Sequence, residues 1–168
     1  MGDLRPHMRN YPGIARGRAA LTFGAVARPE SESPMSDAAT AVASITVAPT
    51  AVHEHDAIIR TVQHYIDGAR SGRGANMKPA FHDDATIFGY VGADLFAGPI
   101  QLLFDWNDEN GPAVGIEARI GSIDVAGSIA NVRLEMDDWT GHRFTDLFNL
   151  LKVDGEWKIM NKVFHLHP

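Results

Sequence analysis

The sequence predicts an α+β domain in which helices cover one side of a curved antiparallel sheet. Apolar residues recur at spacings of three and four over about 51–70, and a shorter helical pattern ends at Gly111-Pro112. Four long strand patterns then fill residues 116–166, separated by Ala126-Gly127, Thr140-Gly141 and Asp154-Gly155. Because the strands follow the helices instead of alternating with them, the pattern favours the α+β class.

The length and composition indicate one globular domain, which we assign to residues 51–168. A chain of 168 residues with 45% hydrophobic content supplies one packed core but not two typical domains. Residues 1–34 are rich in Arg, Gly and Pro without a sustained period, so residues 1–50 are predicted to be disordered or an upstream extension, with Met35 as an alternative start. A transit peptide is the competing interpretation, but residues 1–28 lack Ser and contain Pro.

The charge distribution argues against a nucleic-acid partner. Residues 1–28 hold five Arg and one acid, and removing these from the totals of 15 basic and 21 acidic side chains leaves 10 and 20. An acidic domain repels phosphate backbones. No apolar run approaches the roughly 20 residues that span a membrane. The absence of Cys excludes disulfides and agrees with a cytoplasmic location.

The first helix is predicted to begin after Thr50, whose hydroxyl can cap it, and to end near Arg70. Its apolar stripe consists of Ile58, Val62, Tyr65, Ile66 and Ala69. Tyr65 is therefore expected to point into the core.

The middle of the chain is predicted to hold a short helical piece, a strand pair and a second helix. The helical piece covers about residues 75–81, and the first strand covers residues 85–91 before Gly92. Pro99 suits the first position of the next helix because its fixed φ is already helical. Gly111 ends that helix.

The C-terminal hairpin carries the main functional signal. Asp154-Gly155 between alternating apolar runs is a strong hairpin signal, and pairing of Val153 with Glu156 sets the register. One face then holds Phe144, Asp146, Phe148, Leu150, Trp157, Ile159, Asn161, Val163 and His165. An apolar face interrupted by Asp146, Asn161 and His165 is typical of a small-molecule pocket.

The turn at Thr140-Gly141 leaves two registers open. A two-residue turn would bring Arg133 and Glu135 to the face of Asp146. A three-residue loop with Gly141 in the left-handed region would instead align Val132, Leu134 and Met136 with it. We prefer the longer loop because it keeps the face apolar.

The element order and three segments resemble the nuclear transport factor 2-like superfamily, and specifically its lumazine-binding branch. The segments are YIDGARSG, FHDDATIFG and FTDLFNLLKVDGEWKIMNKVF, and the resemblance covers about residues 54–166. It implies a cone-shaped fold whose curved sheet and helices enclose a pocket. It also implies homodimers through the outer sheet face, which is expected to carry Leu147, Leu151, Met160, Phe164 and Leu166 among Arg143, Lys158 and Lys162.

The chain is also similar to ketosteroid isomerase, a relative within this superfamily, as are SnoaL-like proteins. On that alignment Tyr65 matches the tyrosine of the oxyanion hole and Asp146 matches the acid beside it. The general-base aspartate falls at Gly89. The resemblance therefore implies a pair of groups that bind a carbonyl oxygen but supplies no base.

Each candidate residue also has an ordinary structural interpretation. Asp146 between Phe144 and Phe148 needs a partner or a function, and a salt bridge with Arg133 or a hydrogen bond from Trp139 would satisfy it. Tyr65 on a helix face often only fills core space.

Three further candidates lie elsewhere along the chain. His165 is a candidate general base and His82 an alternative, although His82 with the acids after it also fits a capping turn. Trp106 is expected at the pocket mouth or in a solvated loop. His165 and His167 share a strand face near His142, but two ligands at a chain terminus are weak evidence for a metal site, so we assign no metal.

The sequence thus predicts a homodimeric protein with an apolar pocket for a small, ring-bearing organic ligand. Tyr65, Asp146 and His165 are the catalytic candidates, and His82, Trp106, Phe144, Phe148 and Asn161 are the ligand-binding candidates. No nucleotide-binding, nucleophile-elbow or zinc-protease motif occurs, so no cofactor is predicted. The alternatives are a cofactor-independent lyase or isomerase that stabilises an enolate, and an interaction adaptor with a filled core.

Overall fold

The computed structural model describes residues 51–168, and the predictions for residues 1–50, including the disordered extension and Met35, lie outside the described residues. The helices are α1 Ala51–Ser71, α2 Gly74–Met77 and α3 Gln101–Asn110, with a 3₁₀ turn at Lys78–Ala80. The strands are β1 Phe81–Val91, β2 Asp94–Pro99, β3 Glu117–Ala126, β4 Ile129–Trp139, β5 His142–Val153 and β6 Glu156–Leu166.

The strands form one sheet in the order β2-β1-β6-β5-β4-β3. The α+β class is confirmed, but the sheet is not wholly antiparallel, because β1 runs parallel to β6. The chain leaves the β1–β2 hairpin through α3, enters the far edge at β3, and returns by a meander that brings β6 beside β1. Such a parallel pair needs a long connection, which α3 and the meander provide.

Helix α1 buries the predicted stripe. Ile58, Val62, Tyr65 and Ala69 are fully buried, and Tyr65 points into the core as expected. Burying one such aliphatic side chain stabilises the fold by about 1.5–3 kcal/mol. The edge-to-face contact of Tyr65 with Phe148, at 5.3 Å between ring centroids, fixes the helix over β5.

The start of α3 differs from the prediction. Gly98 and Pro99 belong to the end of β2, where Pro99 pairs with Thr86, and Ile100 is the N-cap of α3. Pro99 is tolerated there because β2 is an edge strand and needs no ladder donor on its open side. The helix ends as predicted at Gly111, whose positive φ of 74° glycine adopts without steric cost.

The β4–β5 connection gives the predicted alignment by a different route. Val132, Leu134 and Met136 pair with residues of the inner face of β5. However, Trp139 pairs with His142, so the turn has two residues, Thr140 and Gly141, both with positive φ. The expected three-residue loop is wrong, and the extra residue is instead a bulge between Met136 and Trp139.

A second bulge changes the face of β6. Val153 pairs with Glu156 and Leu150 with Ile159 as predicted, but Asn149 then pairs with Asn161, so Met160 is an extra residue. Beyond Met160 every side chain therefore lies on the face opposite to the one predicted. Lys162 and Phe164 are buried, whereas Val163 and His165 are exposed.

Candidate active site

The centre of the site is a chain of three buried polar side chains from α1, β5 and β6. Tyr65 Oη donates a hydrogen bond of 2.7 Å to Asp146 Oδ2. Lys162 Nζ forms an ion pair with the other oxygen, Asp146 Oδ1. Tyr65 and Asp146 are 0% exposed and Lys162 is 2% exposed. Both carboxylate oxygens are thus occupied by donors in a region shielded from water.

Aromatic rings surround the ammonium group. Lys162 Nζ lies 5.1 Å from the ring centroid of Phe164, 5.5 Å from that of Tyr65 and 5.8 Å from that of Phe148. The negative faces of such rings attract a cation but replace little of its hydration. The pair with Asp146 therefore supplies most of the compensation for the buried charge.

Burial shifts the proton affinities of the lysine and the tyrosine. Desolvation lowers the pKa of Lys162 from its ordinary value, and the Asp146 carboxylate opposes this shift. Desolvation, and then the negative charge of Asp146, raises the pKa of Tyr65 well above its ordinary value. Tyr65 therefore stays a hydrogen-bond donor, while Lys162 is more easily deprotonated than a surface lysine.

Lys162 is the one charged residue among those that line a cavity of about 30 Å³, whose accessible surface is wholly apolar. The walls come from β1, β2, α3 and the β4–β6 meander. They consist of Ile87, Val91, Phe96, Leu103, Trp106, Trp139, Phe144, Lys162 and Phe164. Tyr65 and Asp146 lie behind Lys162 and do not line the cavity, so they act on its contents through the lysine.

Two cavity-lining tryptophans carry unused donors. Trp106 Nε1 and Trp139 Nε1 are buried and have no hydrogen-bond partner among residues 51–168. Leaving a buried N–H unpaired costs about 1–3 kcal/mol.

Comparison with known proteins identifies the family. Residues 53–165 match the family model described as "Putative lumazine-binding". The chain belongs to this family. The cone-shaped fold of the nuclear transport factor 2-like superfamily, predicted from the sequence, is thereby confirmed.

Three relatives illustrate the family. The chain is 33% identical over 116 residues to the protein named aldolase FrzH of a Cladobotryum species, which covers 68% of this chain and 93% of the relative. It is 51% identical to an NTF2-like protein of unknown function from Methylobacillus flagellatus KT, with a TM-score of 0.69 over 71% of this chain and 96% of the other. A similar protein from Shewanella baltica OS155 is 43% identical, with a TM-score of 0.70 over 72% and 99% of the two chains.

This member of the lumazine-binding family has no room for the isomerase-type general base. Gly89 faces inward on β1, and a Cβ atom there would meet the ring of Phe164. The ring thus occupies the place that an aspartate side chain at residue 89 would need. The lack of a base inferred from the sequence has a direct steric cause.

The structure brings together some of the predicted site residues. Tyr65 and Asp146 are in contact, Trp106 and Phe144 line the cavity, and Phe148 packs behind them on Tyr65. The partners expected for Asp146 are wrong, because Arg133 pairs with Glu135 at 2.6 Å and Trp139 Nε1 makes no hydrogen bond among the described residues. Lys162 supplies the ion pair instead.

The other predicted residues lie away from the cavity. The expectation that Asn161 and His165 share the face of Asp146 is wrong, because the Met160 bulge turns both to the outer face. Asn161 Nδ2 donates to Thr86 Oγ1 at 2.9 Å, and the His165 ring lies 4.7 Å from that of His167. His82 lies within β1 and not in a turn before the strand; it lines a separate groove near Lys78, and its Nδ1 accepts from the backbone N–H of Asp84.

Lys162 is the residue that sequence reasoning missed. Alternation counted from Asp154-Gly155 placed it on the outer face, and the bulge reverses that assignment. A usable signal existed, because Asp146 needed a positive partner and a one-residue shift of β6 supplies one.

For residues 51–168, no group of three or more potential metal ligands was found. Among these residues, no helix is long and apolar enough to cross a membrane.

Proposed function

We propose that this protein binds a small carbonyl compound in the cavity and catalyses cofactor-independent cleavage or formation of a carbon–carbon bond next to the carbonyl. The observation that carries the proposal is the buried chain Tyr65–Asp146–Lys162, which ends at a lysine in the wall of an apolar, aromatic cavity. An ordinary core has no need of a buried lysine at a cavity wall.

The geometry suits stabilisation of negative charge on oxygen. Cleavage of a β-hydroxy carbonyl compound develops an enolate, and a fixed cation in a water-excluded site stabilises that charge far more than the same cation in water. Asp146 and Tyr65 fix the position of the ammonium group before the substrate arrives.

The walls indicate the rest of the substrate. Trp106, Trp139 and Phe144 present ring edges and faces to one another at centroid distances of 5.3–6.5 Å. Flat apolar groups pack well in such a setting, which supports a ring-bearing substrate. The unpaired indole donors favour a second acceptor oxygen, as a hydroxyl or carbonyl group would provide.

The name of one relative supports catalysis over simple binding. The Cladobotryum relative is named an aldolase, and aldol chemistry passes through the enolate that a buried cation would stabilise. The cavity as described holds only about 30 Å³, so a ring-bearing substrate requires the aromatic walls to move apart. The adaptor with a filled core therefore remains the alternative that the experiment must exclude.

The first test is native mass spectrometry of the purified protein, followed by denaturing extraction of anything retained. We expect a small ring-bearing compound with a carbonyl or hydroxyl oxygen. A panel of β-hydroxy ketones and aldehydes is then assayed for cleavage, with Asp146→Asn as the impaired variant and Glu54→Gln as the matched carboxylate control. A ligand-free protein whose melting temperature no panel compound shifts would contradict the proposal and favour the adaptor.

The proposal includes a homodimer formed through the outer sheet face. Phe88, Val163 and Leu147 are paired neighbours on three adjacent strands and are 40%, 41% and 41% exposed. Such an apolar row supports a self-complementary interface. We expect Val163→Glu to give a monomer in sedimentation experiments, whereas Val114→Glu, in the loop before β3, leaves the dimer intact. A Val163→Glu protein that stays dimeric would contradict this interface.

The cytoplasmic location remains a prediction.

A further inference from the structure

We propose that Lys162 acts as a covalent nucleophile, whose Nζ forms a Schiff base with the carbonyl carbon of the substrate. This inference rests on the proposed function and names the catalytic residue and the intermediate. It makes the substrate a ketone or an aldehyde, since esters and amides do not form stable imines with an amine.

The position of Lys162 distinguishes it from the other lysines. The sequence contains four lysines, Lys78, Lys152, Lys158 and Lys162. Only Lys162 is buried, and only Lys162 among them lines the apolar cavity. A lysine that is desolvated in an apolar pocket is activated as a nucleophile, because its neutral amine form becomes accessible near neutral pH.

The pair with Asp146 offers a route to that neutral amine. Moving one proton from Nζ to the carboxylate converts the ion pair into an amine and a carboxylic acid without changing the net charge of the site. A water-excluded surrounding favours this neutral form over separated charges. Burial also lowers the pKa of Lys162, which acts in the same direction.

The reaction balances with the groups present. The Nζ lone pair attacks the carbonyl carbon, one Nζ proton passes to the carbonyl oxygen to give a carbinolamine, and Asp146 returns its proton to Nζ. The oxygen then leaves as water, so that two of the three ammonium protons depart with it and one remains on the iminium nitrogen. The Asp146 carboxylate faces the iminium, and the nitrogen accepts the electron pair of the breaking carbon–carbon bond as an enamine.

Tyr65 is a positioning residue in this scheme. Its hydroxyl donates to Asp146 Oδ2 and leaves Oδ1 for Lys162. The Schiff base also removes the need for an aspartate at residue 89, because cleavage of a β-hydroxy carbonyl compound needs only the hydroxyl proton to be taken up, and the water released on imine formation can relay that proton to Asp146.

The test is reductive trapping. The full-length protein is incubated with acetone, a small carbonyl probe, and sodium cyanoborohydride, and isopropyl groups are located by peptide mapping. At neutral pH we expect the isopropyl groups to be found predominantly on Lys162, because it lines the cavity and burial lowers its pKa. Lys152 is the matched control because it also pairs with a carboxylate, that of Glu54. Prior incubation with a ligand found by extraction should protect Lys162 alone.

Lys162→Arg separates the covalent role from a purely electrostatic one. Arginine keeps the positive charge beside Asp146 but cannot form an imine, so this variant should keep its thermal shift with the ligand and lose cleavage. The Schiff-base proposal would be wrong if Lys162→Arg cleaved substrate at the wild-type rate. It would also be wrong if the wild-type protein cleaved substrate without a trapped adduct. Either result would leave the proposed function standing. A wild-type protein that neither binds nor cleaves any compound, and traps nothing, would overturn both.

Discussion

Two lysines of the β5–β6 hairpin pair with carboxylates, and the two pairs have the same chemistry but different surroundings. Near the turn, Lys152 Nζ donates to Glu54 Oε1 at 2.6 Å, and the two side chains are 24% and 14% exposed. Beyond the Met160 bulge, the Lys162–Asp146 pair is almost fully enclosed. The residue types are alike, so the difference in solvent exposure determines whether a pair is a structural contact or a reactive site.

The pair near the turn ties α1 to the hairpin. The second oxygen of Glu54 accepts from Trp157 Nε1 at 2.7 Å, and the contacts with Lys152 and Trp157 lower the pKa of Glu54. In the enclosed pair, burial is the dominant influence, and it lowers the pKa of the lysine instead. The first arrangement is typical of a structural contact, whereas the second is typical of a reactive site.

The largest effect is expected from separating the enclosed pair. Asp146→Asn leaves the Lys162 ammonium buried without a counter-ion, which should lower the free energy of unfolding by about 3–5 kcal/mol. Urea denaturation at neutral pH measures this change.

Replacing both members of the pair provides the control. Asp146→Leu with Lys162→Met substitutes apolar side chains of similar size, so the double variant should regain most of the lost stability while losing all activity. If the double variant were less stable than Asp146→Asn, the pair would be a main source of stability and the comparison with Lys152–Glu54 would be wrong.

The two ends of the hairpin also show which part of the strand register can be predicted from the sequence and which part cannot. Asp154-Gly155 fixes the register from the turn to Ile159, because local turn chemistry determines it. Beyond Met160 the sequence offers two apolar alternations, one through Val163 and one through Phe164, and periodicity alone does not choose between them. The choice depends on tertiary contacts: Phe164 fills the space above Gly89, and Lys162 meets Asp146.

A smaller effect is expected from Tyr65→Phe. The variant removes one hydrogen bond to a charged group, which should cost about 1.5–3 kcal/mol at neutral pH. The pKa of Tyr65 is raised in the folded state, so the unfolded chain releases this proton first, near its ordinary value of 10.0, and wild-type stability falls as the pH rises above that value. Tyr65→Phe should show a weaker alkaline loss in melting temperature. An identical alkaline loss in both proteins would contradict the buried position of the hydroxyl.

The smallest effect is expected from Glu54→Gln at the solvent-screened pair. The pKa of Glu54 is lowered below its ordinary value of 4.5, so the carboxylate contributes stability that is fully present above that value and is lost as the pH falls through the lowered pKa. Wild type and Glu54→Gln should therefore differ in melting temperature at neutral pH and converge in acid. Added salt should shrink the neutral-pH difference, because screening acts on exposed charges. The loss of stability caused by Asp146→Asn should not shrink when salt is added. If salt reduced the stability loss of both variants equally, the two ion pairs would share one environment.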